Sequence, residues 1–106
     1  MAITNTKLKN DIAQTIFTST GTNGDVITTM YFCNIDTGFN TANVFVVKSG
    51  SVANVLLNMV YSNVAIQADD TLVVDMEKLV LAPGDSIRAN CYNSDKLLVT
   101  VSSLAV

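Results

Sequence analysis

Histidine and tryptophan are absent from this chain of 106 residues, which has only one proline and two cysteines. The absence of histidine excludes a His-based triad, an imidazole general base and a His metal ligand. Cys33 and Cys91 lie far apart and neither belongs to a CxxC pair, so a structural zinc site is not expected. Both fall at apolar, strand-like positions, where we expect a buried free thiol, with a mutual disulfide as the alternative.

Charge is also scarce: charged residues make up 14% of the chain, against about 25% in an average soluble domain. The basic residues form no cluster, so we expect no nucleic-acid partner. They are Lys7, Lys9, Lys48, Lys78, Arg88 and Lys96. Hydrophobic residues reach 49% and the mean hydropathy is +0.39, which predicts that part of the surface is covered in a homo-oligomer.

Long apolar runs are missing as well. None approaches the roughly 20 residues of a membrane helix, and residues 1–10 lack the apolar segment of a signal peptide. There is no GxGxxG, Walker or GxSxG motif. We therefore expect no enzymatic activity, no catalytic, cofactor-binding or metal-binding residues, no cofactor and no membrane partner, in a protein folded in a cytosol.

Short runs rich in Val, Ile, Thr, Tyr and Phe alternate with turn clusters such as Asn23-Gly24 and Pro83-Gly84-Asp85. This pattern predicts an all-β fold of about eight strands in two antiparallel sheets, a jelly-roll or immunoglobulin-like sandwich. Residues 13–106 would form this single domain, and the polar residues 1–12 an N-terminal arm. The strands are expected at 14–19, 26–34, 43–48, 54–61, 71–75, 79–81, 86–92 and 97–104, with a helical turn at 76–78.

The stretch 54–61 is ambiguous because its apolar spacing also suits a helical turn, but Val55 and Val60 favour a strand. Within 26–34, strand alternation places Val26, Met30 and Phe32 on one face. Ile27, Tyr31 and Cys33 would then share the other face. The expected core is Val26, Met30, Phe32, Val44, Val46, Leu72, Leu79, Leu81, Ile87, Val99 and Val101.

Two groups of residues could form a site. Asp69, Asp70, Asp75 and Glu77 are the only acidic cluster, but they lack the residue order of an EF-hand and any companion motif for glycoside chemistry. A solvated turn explains them better. Tyr31, Tyr61 and Tyr92 could stack on sugars or bases, yet burial in the core or in a subunit interface is favoured.

Several sequence segments are similar to segments of a known group of proteins. They are Thr15–Thr18, Gly24–Asn34, Asp69–Asp75, Glu77–Arg88 and Val99–Val101, and the clearest is LVLAPGDSIRA, Leu79–Ala89. Over residues 15–104 the chain resembles small virion structural proteins of tailed bacteriophages, especially phages of aquatic bacteria. The resemblance implies a role in particle assembly, and residues 1–12 depart from the shared core.

The favoured hypothesis is a capsid cement or decoration protein that binds the major capsid protein, stabilises the head and forms a homotrimer, assembled in the host cytoplasm and located in the virion. A second hypothesis is a tail, neck or fibre module that binds another virion protein or a host-surface glycan. A stand-alone carbohydrate-binding module is a third, and an enzyme is the least favoured.

Overall fold

The structure is a computed structural model that describes residues 2–106, apart from the side chains of residues 2 and 76–78. In the described residues the chain forms eight β-strands and no helix. Its abundant β-branched side chains suit a pleated, half-buried surface. The strands are β1 (Ala2–Lys7), β2 (Gln14–Thr18), β3 (Asp25–Asn34), β4 (Asn40–Val47), β5 (Met59–Ile66), β6 (Thr71–Leu81), β7 (Ser86–Cys91) and β8 (Leu97–Ala105).

The strands build two four-stranded antiparallel sheets. Sheet I has the order β1-β8-β3-β6 and sheet II the order β2-β7-β4-β5. Strands pair first with last, as β1–β8, β2–β7, β3–β6 and β4–β5, so the chain is one long hairpin wound over both sheets. This pairing is that of an eight-stranded jelly roll. The predicted all-β, two-sheet antiparallel sandwich is confirmed, and the strand order selects the jelly roll over the immunoglobulin-like alternative.

The core lies between the two sheets and matches most of the sequence expectation. The expected residues that are buried are Met30, Phe32, Val44, Leu81, Ile87, Val99 and Val101. Val46, Leu72 and Leu79 are half-buried and pack against this cluster. Leu8 and Leu97, which were not expected in the core, are fully buried.

Val26 is the one expected core residue that points away from the core, because β3 contains a bulge. Ile27 pairs with Ser103 and Thr29 with Ser102, so Thr28 is an extra residue opposite β8. An extra residue shifts the inside–outside alternation by one position. Ile27 is therefore buried and Val26 half-exposed, the reverse of the predicted alternation.

Residues 1–12 were expected to form an arm, but Ala2–Lys7 form strand β1, which pairs with β8. The apolar pattern of this strand is weak because its inward-facing positions are Thr4 and Thr6, opposite buried residues of β8. The Thr4 hydroxyl is satisfied by donating a hydrogen bond to the Ile16 carbonyl at 3.0 Å. Polar residues that find partners can thus occupy the inner face of an edge strand.

Two further segment predictions were wrong. Residues 54–61 do not form one strand, since a turn over 55–58 precedes β5. Strand β6 also runs without interruption from Thr71 to Leu81, with no helical turn at 76–78. Instead, the register with β3 shifts between Ile27–Leu79 and Thr29–Asp75, so that one residue of β3 lies opposite three residues of β6.

Candidate interaction surfaces

The acidic residues that are close in sequence do not converge. Asp69 lies in the β5–β6 turn with φ of +57°, and the Asp70 carboxylate accepts a hydrogen bond from the Thr71 amide at 2.8 Å. Asp75 is exposed on the outer side of sheet I, and the side chain of Glu77 is outside the described residues. Across the described residues, no group of three or more His, Cys, Asp or Glu could hold a metal ion.

The three tyrosines lie on different faces of the molecule. Tyr61 packs against the core, Tyr31 is 42% exposed on the outer side of sheet I, and Tyr92 is 67% exposed just beyond β7. Only Tyr61 therefore meets the expectation of core burial. Because the three rings do not share a face, they do not form a common stacking platform.

Both cysteines are free thiols. Cys91 is buried, its Sγ donates to the Asn93 carbonyl at 3.1 Å, and burial raises the pKa of its thiol. Cys33 is partly exposed on the outer side of sheet I, so only Cys91 meets the expectation of a buried thiol. The two thiols therefore differ in access to solvent, which makes Cys33 the reactive one.

The β4–β5 connection carries the most exposed apolar side chains of the described residues. We call Val52, Val55, Leu56 and Leu57 of this connection, together with Val60 at the start of β5, the apolar tip. Leu56 is 93% exposed and Leu57 is 76% exposed. Full burial of a Leu or Val side chain contributes about 1.5–3 kcal/mol, so leaving these side chains in water forgoes a large stabilisation.

Two asparagines hold the apolar tip in a fixed shape. The Asn54 side-chain oxygen accepts from the Leu56 amide at 2.9 Å, and the Asn54 carbonyl accepts from the Leu57 and Asn58 amides at 3.1 and 3.0 Å. In return, the Asn58 side chain accepts from the Asn54 amide at 2.8 Å and donates to the Val52 carbonyl at 2.9 Å. The turn is therefore pre-organised by hydrogen bonds while its apolar side chains face outward.

A cleft of about 410 Å³ opens beside this turn. Apolar side chains supply most of its walls, with Lys48 as its only charged member. The lining residues are Val46, Lys48, Ser51, Leu57, Asn58, Met59 and Val60. The β4–β5 end of the sandwich thus offers both a protruding and a recessed apolar feature.

The outer face of sheet I is the second candidate surface. The pairing register places its outward-facing side chains in four rows across the sheet. Most of these side chains are apolar, hydroxyl or amide groups. The rows are Lys7–Leu98–Cys33–Thr71, Asn5–Thr100–Tyr31–Val73, Ile3–Ser102–Thr29–Asp75 and Leu104–Val26–Val80.

Lys7 and Asp75 are the ionic residues among the described side chains of this face, and they lie on opposite edge strands. A depression of about 300 Å³ lies between β1 and β8, lined by residues 5–7 and 98–100. Tyr31 and Val73, at 42% and 56% exposure, stand on the other half of the sheet in the row that begins at Asn5. In this row the depression and the exposed apolar side chains thus lie on opposite halves.

One carboxylate lies inside the fold, near the end of the sandwich that carries the apolar tip. Asp25 is 8% exposed, and its Oδ2 accepts from the Ser19 hydroxyl at 2.6 Å and from the Gly21 amide at 3.3 Å. The hydrogen bond from Ser19, with help from backbone amides and against the effect of burial, lowers the pKa of Asp25. The neighbouring Gly24 has φ of +93°, and a Cβ there would lie 2.1 Å from the Leu81 carbonyl oxygen. This cluster is structural, because it links loop and strand backbones.

Sequence reasoning missed both surfaces. The tip was hidden because VANVLLNMVY was interpreted as a strand, although Asn54 and Asn58, four residues apart around two leucines, are the signal for a capped turn. The outer face of sheet I was hidden because the Thr28 bulge reverses the alternation and turns Val26 outward.

Comparison with protein-family models, with curated proteins and with solved structures finds no match to this chain. In its described residues, the chain contains no helix long and apolar enough to cross a membrane.

Proposed function

We propose that this chain is a non-enzymatic structural protein of a tailed-phage virion, most specifically a capsid cement or decoration protein. Its partner is the major capsid protein or another virion protein, and its location is the virion after assembly in the host cytoplasm. It stabilises the head by burying surface between subunits, which shifts the assembled state by mass action. Neither nucleic acid nor a membrane takes part in this role.

The apolar tip is the observation that carries the proposal. A turn fixed by the Asn54 and Asn58 hydrogen bonds presents Leu56 and Leu57 to solvent. A pre-organised anchor loses little conformational entropy on binding, so its burial converts efficiently into affinity. Such an arrangement suits docking into an apolar groove of a folded protein, which is the chemistry of a shell contact.

Two properties of the whole chain support the same role. The low charged fraction of 14% suits tight subunit contacts, and the jelly roll is a fold that viral capsid domains share with lectins and cupins. The resemblance of residues 15–104 to small phage virion proteins favours a viral structural protein over a lectin or a cupin. The fold by itself would fit a lectin equally well.

The test is binding to tailless heads that lack this chain. We expect the wild-type protein to co-sediment with the heads and to raise their melting temperature. The double variant Leu56→Ser/Leu57→Ser should bind at least about 100-fold more weakly, since burying two leucines contributes roughly 3–6 kcal/mol before binding costs. Ile12→Ser is the matched control, because Ile12 is also apolar and 60% exposed but lies outside the tip.

Wild-type protein that ignores heads would overturn the cement role and direct the search to tail components and host glycans. Equal head binding by the tip variant and the wild type would leave a head protein that uses another surface.

A further inference from the structure

The outer face of sheet I is large enough for a specific protein contact. Strands lie about 4.8 Å apart and advance about 3.3 Å per residue, so a face of four strands with the length of β3 measures roughly 600 Å². Two such faces in contact bury about 1,200 Å², the lower end of the range for stable interfaces. The apolar character of Tyr31, Val73 and Leu104, all more than 40% exposed, suits such a contact.

We propose that this face pairs with the same face of a second copy of the chain, giving a two-fold dimer. The inference is independent of the virion role, because it concerns the protein alone. Each face carries one described cation and one described anion, Lys7 and Asp75, so two identical faces meet without net repulsion. Both groups lie on edge strands, where they stay hydrated at the rim.

The order of residues in the row that begins at Asn5 selects the symmetry. A two-fold axis parallel to the strands, midway between β8 and β3, superposes β3 of one copy on β8 of the other and β6 on β1. Tyr31 and Val73 share a row with Asn5 and Thr100, so Tyr31 and Val73 of each copy then lie over the other's depression of about 300 Å³. The axis also keeps the strands of the two sheets aligned, as packed sheets prefer.

A face that pairs with itself is an isologous contact and closes after two copies. The expected trimer is implied only by the resemblance to phage decoration proteins, which meet icosahedral shells at threefold positions, and no residue of this chain specifies it. The dimer and the trimer therefore differ in a quantity that is measured directly, the solution mass in multiples of 11.3 kDa.

Cys33 provides an internal probe of the same contact. It stands in the row with Leu98, and the two-fold axis places it over Leu98 of the second copy. Its thiol is partly exposed in the single chain, whereas Cys91 is buried. Dimer formation should therefore slow the reaction of Cys33 with a thiol reagent and leave the Cys91 signal silent.

The experiment measures mass by sedimentation equilibrium from about 1 μM to about 1 mM, together with the rate of thiol modification by a disulfide reagent. We expect wild-type protein to reach twice the chain mass and Cys33 to become at least fivefold slower over that range. Val73→Lys should raise the dissociation constant at least tenfold and move the slowing of Cys33 to correspondingly higher protein concentration. Thr15→Lys, the same new charge at an exposed site on the edge strand of sheet II, should behave as wild type.

A wild-type mass of one or three chains would overturn the inference. So would a dimer that Val73→Lys leaves intact or one in which Cys33 keeps its monomer rate. Since Val73 is exposed, Val73→Lys should keep its melting temperature; Tyr31→Ala provides a second variant that adds no charge and should weaken the dimer in the same direction.

Discussion

The two outer faces of the sandwich have different surroundings although both belong to four-stranded sheets. On sheet II, Phe45 and Val47 point outward, opposite Arg88 and Ser86 of β7, yet the same chain leaves them only 3% and 0% exposed. On sheet I, Tyr31 and Val73 point outward and stay open to solvent. The outward apolar residues of β4 on sheet II are thus covered within the chain, while Tyr31 and Val73 on sheet I are open to solvent.

The outward-facing polar side chains of the two sheets also differ in how much they contact the rest of the chain. On sheet II the Asn43 side chain donates to the Asn90 side-chain oxygen at 2.9 Å and accepts from the Asn63 amide at 2.8 Å. The Asn43 side chain on β4 therefore links this strand to β7 and to β5. On sheet I the side-chain hydrogen bond between outward residues, from Thr100 to Asn5 at 2.8 Å, lies in an exposed setting. Outward residues therefore stabilise the monomer on sheet II more than on sheet I.

The largest expected difference between the faces is the stability cost of removing an outward aromatic ring. Phe45→Ala should lower the free energy of unfolding by about 3–5 kcal/mol, as Phe32→Ala should in the core, because both rings are buried. Tyr31→Ala should cost about 0.5 kcal/mol or less in the monomer. Urea unfolding at low protein concentration measures all three. Equal losses for Phe45→Ala and Tyr31→Ala would remove the distinction between covered and open faces.

A smaller difference should appear for the polar residues. Asn43→Leu leaves the Asn63 amide and the Asn90 oxygen without this partner and should cost about 0.5–1.5 kcal/mol. Thr100→Val on sheet I removes an exposed hydrogen bond and should change stability by about 0.3 kcal/mol or less. Thermal melts at matched concentration compare them, and a larger loss for Thr100→Val would reverse the assignment.

The regular parts of the fold were predictable because their residues obey strand periodicity without interruption. In β7, Ile87, Ala89 and Cys91 are buried while Arg88 and Asn90 are only partly so, as strict alternation requires. The turn signals at Asn23-Gly24 and Pro83-Gly84 likewise separate the strands where the structure has its connections. Local rules were sufficient wherever backbone pairing was regular.

Prediction failed where tertiary pairing overrides local pattern. Strand β1 is specified by its pairing with β8, at the other end of the chain, and its inward threonines give no apolar signal. The Thr28 bulge is likewise a property of the β3–β8 register, which a single strand's sequence does not encode. Both candidate surfaces depend on such features, so they became visible only with the strand register and the turn geometry in hand.

The smallest expected effect concerns Asp25, the carboxylate inside the fold, and the acid dependence of stability. The Ser19 hydrogen bond holds the pKa of Asp25 below its ordinary value of 3.8, so the unfolded chain takes up this proton at a higher pH than the native protein. The stabilisation is complete above the ordinary value and is lost as the pH falls through the native pKa. Asp25→Asn keeps an oxygen acceptor for Ser19 but carries no charge, so it should lose this stabilisation at neutral pH and show a flatter loss of stability as the pH falls. Urea unfolding as a function of pH below about 5 compares this variant with the wild type, and equal slopes in the two proteins would show that the Ser19–Asp25 hydrogen bond does not control acid stability.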